Sequence, residues 1–95
     1  MAAYVIVNIE VHDPERYKEY VAGAPSSLAR FGGKYLARGG RAQTLEGTWE
    51  PKRVVLLEFV TYENALAWWN SEGYEGLKAL RQAVTSTEMM LIEGV

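Results

Sequence analysis

The stretch Gly32-Gly33-Lys34-Tyr35-Leu36-Ala37-Arg38-Gly39-Gly40 decides how this chain of 95 residues is divided into elements. A glycine pair flanks each end of a short run with strand character, and glycine lets a chain turn sharply without a Cβ penalty. The pattern predicts a strand over residues 34–38. Arg38 is then held on a strand rather than on a mobile loop. A charged side chain on a strand of so small a protein is either solvated or part of a site.

A strand and a helix are predicted before this stretch. Residues 3–11 alternate between two faces with β-branched side chains, which is typical of a strand. Asp13 and Pro14 then predict a helix start, with Asp13 as N-cap and Pro14 at the first helical position. Apolar residues at helical spacing continue to Phe31. Pro25 lies inside this helix and predicts that it is bent or divided near residues 23–25.

The C-terminal half predicts one strand, an interrupted helix and a last strand. Residues 39–52 form a long connection, with a short strand predicted around residues 43–46. The run Val54-Val55-Leu56-Leu57 is apolar on both faces, so the strand over residues 53–60 is expected at the centre of the sheet. Residues 61–64 cap a helix. The elements that follow are a helix over 65–70, an interruption at 71–73, a helix over 74–83 and a strand over 87–93.

The resulting order, β-α-β-β-α-β, predicts the α+β class with a ferredoxin-like arrangement in one domain over residues 1–95. In this arrangement an antiparallel sheet carries both helices on one face. The other face would be bare and apolar, because Tyr4, Ile6, Val54, Leu56 and either Met89 or Met90 are available to it. A second copy of the chain would cover that face. We therefore expect a homodimer, paired as a dimeric α+β barrel.

Composition excludes several kinds of protein. Apolar residues make up 48% of the chain, the net charge is -2, and neither sign of charge is clustered. No basic stripe suited to nucleic acid is visible. The chain has no cysteine, so it has no disulfide framework and no thiol nucleophile. No apolar run is long enough to span a membrane, and the N-terminus lacks a signal-peptide pattern, so a cytoplasmic location is expected. No metal and no cofactor is predicted.

The chain as a whole resembles the family called domain of unknown function 1330 (DUF1330), within the dimeric α+β barrel superfamily. The resemblance is carried by residues 3–6, Asp13-Pro14 before Tyr17 and Tyr20, residues 32–40, Leu45-Glu46-Gly47-Thr48-Trp49, Glu58-Phe59, Ala65, Trp68, Ser71-Glu72-Gly73-Tyr74 and Arg81. The proline usual in the family's Ser-Pro-Glu-Tyr turn is absent here. The resemblance implies the fold and the dimer. It implies no activity, although other branches of the superfamily include cofactor-free monooxygenases, haem proteins and isomerases.

A polar cluster on the sheet is the first candidate site. If Val55, Leu57 and Phe59 face the helices, Glu58 faces away from them. Arg38 is expected on the neighbouring strand, on the same face as Glu58 and at least half buried, with Asn8 oriented likewise and Glu46 supplied by the loop. An arginine fork suits a carboxylate of the protein or of a ligand. The cluster is therefore either an anion or carbonyl site, with Glu58 as base or orienting group, or a structural salt-bridge network.

Three other side chains have both a functional and a structural interpretation. Trp49 lies in a predicted loop, as a lid over a pocket or as a contact in a subunit interface. Tyr17 lines a cleft between helices and sheet, or simply packs in the core. His12 is the sole histidine. At this position an exposed turn residue is more common than a general base or a metal or haem ligand. Ser26, Ser27 and Ser86 have no histidine at a useful spacing, so a hydrolytic triad is not predicted.

Two functions from different classes remain. The first is a small homodimeric binding protein that holds a small anionic or carbonyl compound near Arg38 and Glu58. The alternative is a cofactor-independent enzyme, monooxygenase-like or isomerase-like, that acts on a small carbonyl or aromatic substrate with Asn8, Tyr17, Arg38 and Glu58. An enclosed pocket with a perturbed carboxylate or arginine inside would favour the enzyme. A space filled by side chains would favour the binding or accessory protein.

Overall fold

The computed structural model describes residues 1–95 and contains one antiparallel sheet of four strands with three helices. Along the chain the elements are β1 (Ala3–Val11), α1 (Pro14–Ala29), β2 (Lys34–Arg38), β3 (Arg53–Phe59), α2 (Tyr62–Trp69), α3 (Glu72–Val84) and β4 (Thr85–Glu93). The strands lie in the order β2-β3-β1-β4. This confirms the predicted ferredoxin-like α+β fold, with the interrupted second helix present as α2 and α3.

Helix α1 begins as its sequence predicts but is not divided at its internal proline. The Asp13 carboxylate accepts a hydrogen bond from the Arg16 backbone N–H at 3.2 Å, and Pro14 is the first helical residue. Pro25 has no N–H to donate to the Val21 carbonyl, four residues earlier. That carbonyl accepts a hydrogen bond from Arg38 Nη2 at 2.8 Å instead. With this carbonyl satisfied by β2, α1 continues unbroken to Ala29. Of the two predicted outcomes, a bend or a division near residues 23–25, the division is therefore wrong.

The core lies between the helices and one face of the sheet. Val5, Val7 and Ile9 of β1 are buried there and pair with Leu57, Val55 and Arg53 of β3. Fourteen buried residues form this single cluster, and Trp68, Tyr74 and Phe59 are its largest fully buried side chains. The aromatic side chains therefore hold α2 and α3 on the sheet.

The other face of the sheet carries an apolar patch, as predicted, beside polar residues such as Asn8 and Glu58. Tyr4 and Ile6 of β1 pair with Ile92 and Met90 of β4, and Met90 and Ile92 are 57% and 49% exposed. Met90 is thus the methionine of this face. Met89 pairs with Val7 and belongs to the helix side.

The connection between β2 and β3 contains no strand, so the short strand predicted around residues 43–46 is wrong. Gly47 has a φ of 90° and turns the chain back. The Thr44 hydroxyl consequently donates to the Trp49 carbonyl within the loop, and no neighbouring strand pairs with these residues. At the end of the chain, β4 begins at Thr85, two residues before the predicted start. None of the three helices is long and apolar enough to cross a membrane.

Candidate functional site

A small cavity lies on the helix side of the sheet, with a volume of about 20 Å³. A volume of roughly 10–15 Å³ holds one water molecule, so side chains fill most of this space. Among its apolar neighbours, the cavity is lined by three tyrosines and three arginines: Tyr17, Tyr20, Tyr35, Arg38, Arg53 and Arg81. No aspartate, glutamate or histidine lines it. The cavity is therefore a positively charged one, with hydroxyl groups as its other polar donors.

Arg81 of α3 is the most deeply buried charged side chain of the site, at 2% exposure. Its Nε donates to the Tyr74 hydroxyl at 3.4 Å, which is a long hydrogen bond. The protein's ion pairs are Lys18–Glu15 and Lys34–Glu58, so no carboxylate pairs with Arg81. Its guanidinium carbon lies 5.9 Å from the Tyr20 ring centroid and 6.0 Å from that of Trp69. The charge of Arg81 is thus balanced within the protein only by aromatic faces and one hydroxyl.

Two buried tyrosines connect Arg81 to the cavity. The Tyr20 and Tyr74 hydroxyl oxygens are 2.7 Å apart. Because a guanidinium only donates, the Tyr74 oxygen accepts from Arg81, and the Tyr74 hydroxyl can donate a hydrogen bond to the Tyr20 oxygen. The Tyr20 proton is then available to an acceptor in the cavity. Burial, and secondarily Tyr74, raises the pKa of the Tyr20 hydroxyl, which is therefore a neutral donor near pH 7.

Arg38 and Glu58 do not meet, so the predicted Arg38–Glu58 cluster is wrong. In the β2–β3 ladder Lys34 pairs with Glu58, but the register shifts between Tyr35 and Ala37 and Arg38 pairs with Val55. This irregularity at Leu36 adds one residue to β2, and one extra residue moves every later side chain to the opposite face. Arg38 consequently lies on the helix side, whereas Glu58 faces away and pairs with Lys34 at 3.4 Å.

Arg38 is also exposed, not half buried as predicted. Its guanidinium lies 4.3 Å from the Tyr35 ring centroid and bonds the Val21 carbonyl. Burial raises the pKa of the Tyr35 hydroxyl, and the Arg38 charge opposes that rise. Arg38 therefore forms the outer rim of the cavity, with Arg81 at its inner wall.

Of the other sequence candidates, only Tyr17 joins Arg38 at the cavity, where it stacks on Tyr20 with ring centroids 5.7 Å apart. Asn8 faces the opposite side of the sheet, and its Oδ1 accepts from the Lys52 backbone N–H at 2.9 Å. Glu46 is exposed in the β2–β3 loop, and Trp49 is 58% exposed there. The structure thus separates Asn8, Glu46, Trp49 and Glu58 from the cavity.

His12 lies at the end of β1, exposed to solvent, with its Nε2 2.7 Å from the Ser86 hydroxyl. No group of three or more histidine, cysteine, aspartate or glutamate side chains is placed to hold a metal ion.

The sequence contains a signal for Arg81 in the spacing of the residues around it. Leu77 and Val84 are inward-facing residues of α3, and Arg81 lies four residues after the first and three before the second. A charged residue at a position of core spacing indicates either a buried pair or a site.

Arg53 has a similar signal, because it shares a face of β3 with Val55 and Leu57. Its Nε is buried without a hydrogen-bond partner. The Arg53 guanidinium packs against Gly39, where a Cβ would overlap it. Gly39 has a φ of 71°, so the second glycine pair both turns the chain and makes room for an arginine of the cavity.

These observations define a small ferredoxin-like α+β protein with an arginine- and tyrosine-lined cavity between its helices and its sheet. The family model for domain of unknown function DUF1330 matches residues 2–95. The chain therefore belongs to the DUF1330 family.

Solved structures of similar fold include proteins of known and unknown function. A protein of unknown function from Rhodopseudomonas palustris has a TM-score of 0.80 at 15% identity, covering 99% of this chain and 82% of that one. A dimeric ferredoxin-like protein of unknown function from Jannaschia sp. has a TM-score of 0.73 at 14% identity, covering 99% and 100%. SnoaB, a cofactor-independent oxygenase from Streptomyces nogalater, has a TM-score of 0.67 at 13% identity, covering 99% and 93%. These identities show a common fold only. No curated protein matches the chain.

Proposed function

We propose that this protein is a homodimer that binds a small anionic compound on the helix side of its sheet, with Arg81 and Tyr20 as the principal donors. The observation that carries this proposal is Arg81 itself, which is buried, charged and without a carboxylate partner. A buried charge is costly unless it is paired and hydrogen-bonded. A ligand anion would supply both the missing charge and the missing acceptors.

The surroundings of Arg81 support an anion rather than a cation or a neutral compound. Arg38 and Arg53 add two further positive charges to the cavity wall, and no acidic side chain opposes them. The guanidinium fork binds a carboxylate through two parallel hydrogen bonds. The Tyr20 hydroxyl would supply a third. This places the proposed ligand beside Arg38, as the sequence suggested, but on the opposite face of the sheet from Glu58.

The proposal of a homodimer is based on the exposed apolar patch of the sheet, which contains Ile6, Leu56, Met90 and Ile92. Monomeric proteins rarely expose large apolar patches. The dimeric fold neighbour from Jannaschia sp. supports pairing of such chains. A stable interface should bury more than about 1,000 Å² in total. Size-exclusion chromatography with light scattering at micromolar concentration tests it, and a monomer would contradict it.

A cofactor-independent enzyme is the second candidate, and the hydrogen-bond chain from Arg81 through Tyr74 to Tyr20 favours it. Prearranged donors of this kind stabilise developing negative charge on an oxygen. The cavity, however, has no carboxylate or imidazole to remove a proton. Such an enzyme would need a substrate that ionises unaided near pH 7. Binding without catalysis makes fewer demands on the residues present, so we rank it first.

Thermal melts with a panel of small carboxylic acids test the binding proposal. A ligand at 100 times its dissociation constant stabilises the folded state by about 2.7 kcal/mol. In a domain of this size each kcal/mol raises the melting temperature by roughly 4–8 °C. We expect at least one acid to raise the melting temperature of the wild type, and Arg81→Met to abolish the rise.

Arg41→Met is the matched control, because Arg41 is exposed in the β2–β3 loop. It should keep the full response to the acids. The proposal is wrong if no acid stabilises the wild type, or if Arg81→Met responds as the wild type does.

A further inference from the structure

Three depressions of the helix side meet at one side chain, Met89 of β4. The first is the arginine- and tyrosine-lined cavity. The second is a cleft of about 180 Å³ under α2, and the third is a polar recess that includes Arg81, Thr85 and Thr87. Met89 lines all three. Its thioether chain is therefore the partition between a charged cavity and a larger apolar space.

The cleft under α2 has the size and chemistry for one aromatic ring. Its lining is entirely apolar: Val5, Ala65, Leu66, Trp68, Trp69, Met89 and Leu91. An engineered apolar cavity of roughly 150 Å³ binds benzene, so a cleft of about 180 Å³ is large enough for one ring. Trp69, which is only partly buried, lines the cleft and can make an aromatic contact with a bound ring.

Arg81 is within reach of a substituent on that ring. Its guanidinium carbon lies 6.0 Å from the ring centroid of Trp69, which lines the cleft. Arg81 also lines both the cavity and the polar recess, and Met89 borders each of them as well. A carboxylate attached directly to a ring in the cleft would pass Met89 to meet this guanidinium.

Met89 is suited to admit such a group. Methionine is unbranched, has three rotatable bonds and packs favourably against aromatic rings. The side chain is only partly buried, and it lies on β4, an edge strand of the sheet. Because it is only partly buried, the side chain has room to change rotamer.

Resting on the proposed function, we infer that the ligand is a single-ring aromatic carboxylate. Its ring occupies the apolar cleft, its carboxylate binds Arg81, and Met89 sets the size of ring that is accepted. An acid without a ring would leave the cleft unused. An uncharged ring would leave Arg81 unpaired.

The chain's three methionines provide a direct test on the wild-type protein. With methionine methyl groups labelled by ¹³C, benzoate should move the Met89 resonance through the ring current of the bound ring. Met90, on the opposite face, and Met1 should stay in place. Spectra of Met89→Leu and Met90→Leu assign the signals. Acetate, cyclohexanecarboxylate and toluene separate the contributions of charge, bulk and aromatic ring.

Substitutions at Met89 test the claim about size. We expect Met89→Ala to shift the preference between 2-naphthoate and benzoate by at least tenfold toward the two-ring acid. Met89→Phe should weaken benzoate binding at least tenfold. Leu45→Ala, at an exposed position of the β2–β3 loop, should alter neither affinity.

The outcomes separate this inference from the proposed function. If wild type binds acids through Arg81 but acetate binds as well as benzoate, or the Met89 variants keep the wild-type preference, the inference is overturned and anion binding stands. If no acid binds the wild type, both are overturned.

Discussion

Replacing Arg81 by methionine should stabilise the protein in the absence of ligand, by up to about 2 kcal/mol. Desolvation of a buried ion costs several kcal/mol. In return Arg81 makes one long hydrogen bond to Tyr74, worth at most about 1.5–3 kcal/mol for a charged donor. Its two aromatic contacts lie near the 6 Å limit and contribute about 0.5–1 kcal/mol each. Methionine keeps the unbranched apolar stem of the side chain and removes the charged guanidinium.

Urea denaturation of wild type and Arg81→Met, at one fixed protein concentration and without added acids, measures this difference. The fixed concentration matters because the stability of a dimer depends on it. Arg41→Met should change the free energy of unfolding by no more than about 0.5 kcal/mol, as expected for an exposed position. If Arg81→Met lowers that free energy by more than about 2 kcal/mol, Arg81 is a structural residue and our reasoning from its missing partner fails.

Three further predictions concern other parts of the molecule. Burial raises the pKa of Tyr20 in the folded state, so the free energy of unfolding is at its full value below the usual pKa of 10.0 and falls above it by up to about 1.4 kcal/mol per pH unit. Tyr20→Phe should flatten this loss in urea titrations at pH 9–11. Arg38→Met should lower the free energy of unfolding by about 1–2 kcal/mol because the Val21 carbonyl loses its donor, and adding Pro25→Ala should recover most of this loss by restoring a backbone N–H. An equal cost of Arg38→Met in the wild type and in Pro25→Ala would contradict this coupling. Ile6→Lys should convert the proposed dimer to a monomer in light scattering, whereas Arg16→Lys on the exposed face of α1 should leave the dimer intact.

The sequence was most informative where one physical signal dominates. Strand β1 could be placed to the residue because its alternation and its β-branched side chains agree. The start of α1 followed from Asp13 and Pro14 because an N-cap oxygen and a proline without N–H both suit the first turn. Local chemistry decides both features, so no knowledge of the tertiary structure was needed.

The face on which Arg38 lies could not be predicted from local chemistry. Counting residues back from Glu58 assumes uninterrupted pairing, and the extra residue at Leu36 breaks that assumption. The flanking glycines mark the ends of β2 but do not mark a bulge within it. The continuity of α1 was hidden for a related reason. The donor that satisfies the carbonyl opposite Pro25 is Arg38, which is distant in sequence and reaches α1 only because the bulge turns it to the helix side.

The distribution of charge argues that the cavity is more than a packing defect. The chain carries 12 acidic and 10 basic side chains, so its net charge is negative. Nevertheless the cavity is lined by three arginines and no acid, and one of those arginines is almost wholly buried. Consistent sequences avoid buried charges without partners, and exceptions concentrate at functional sites. Selection for stability alone would place an apolar residue at position 81, between the inward-facing Leu77 and Val84. The proposed anion, bound at Arg81, would account for arginine at this position, which is why the stability and the acid response of Arg81→Met should change in opposite directions.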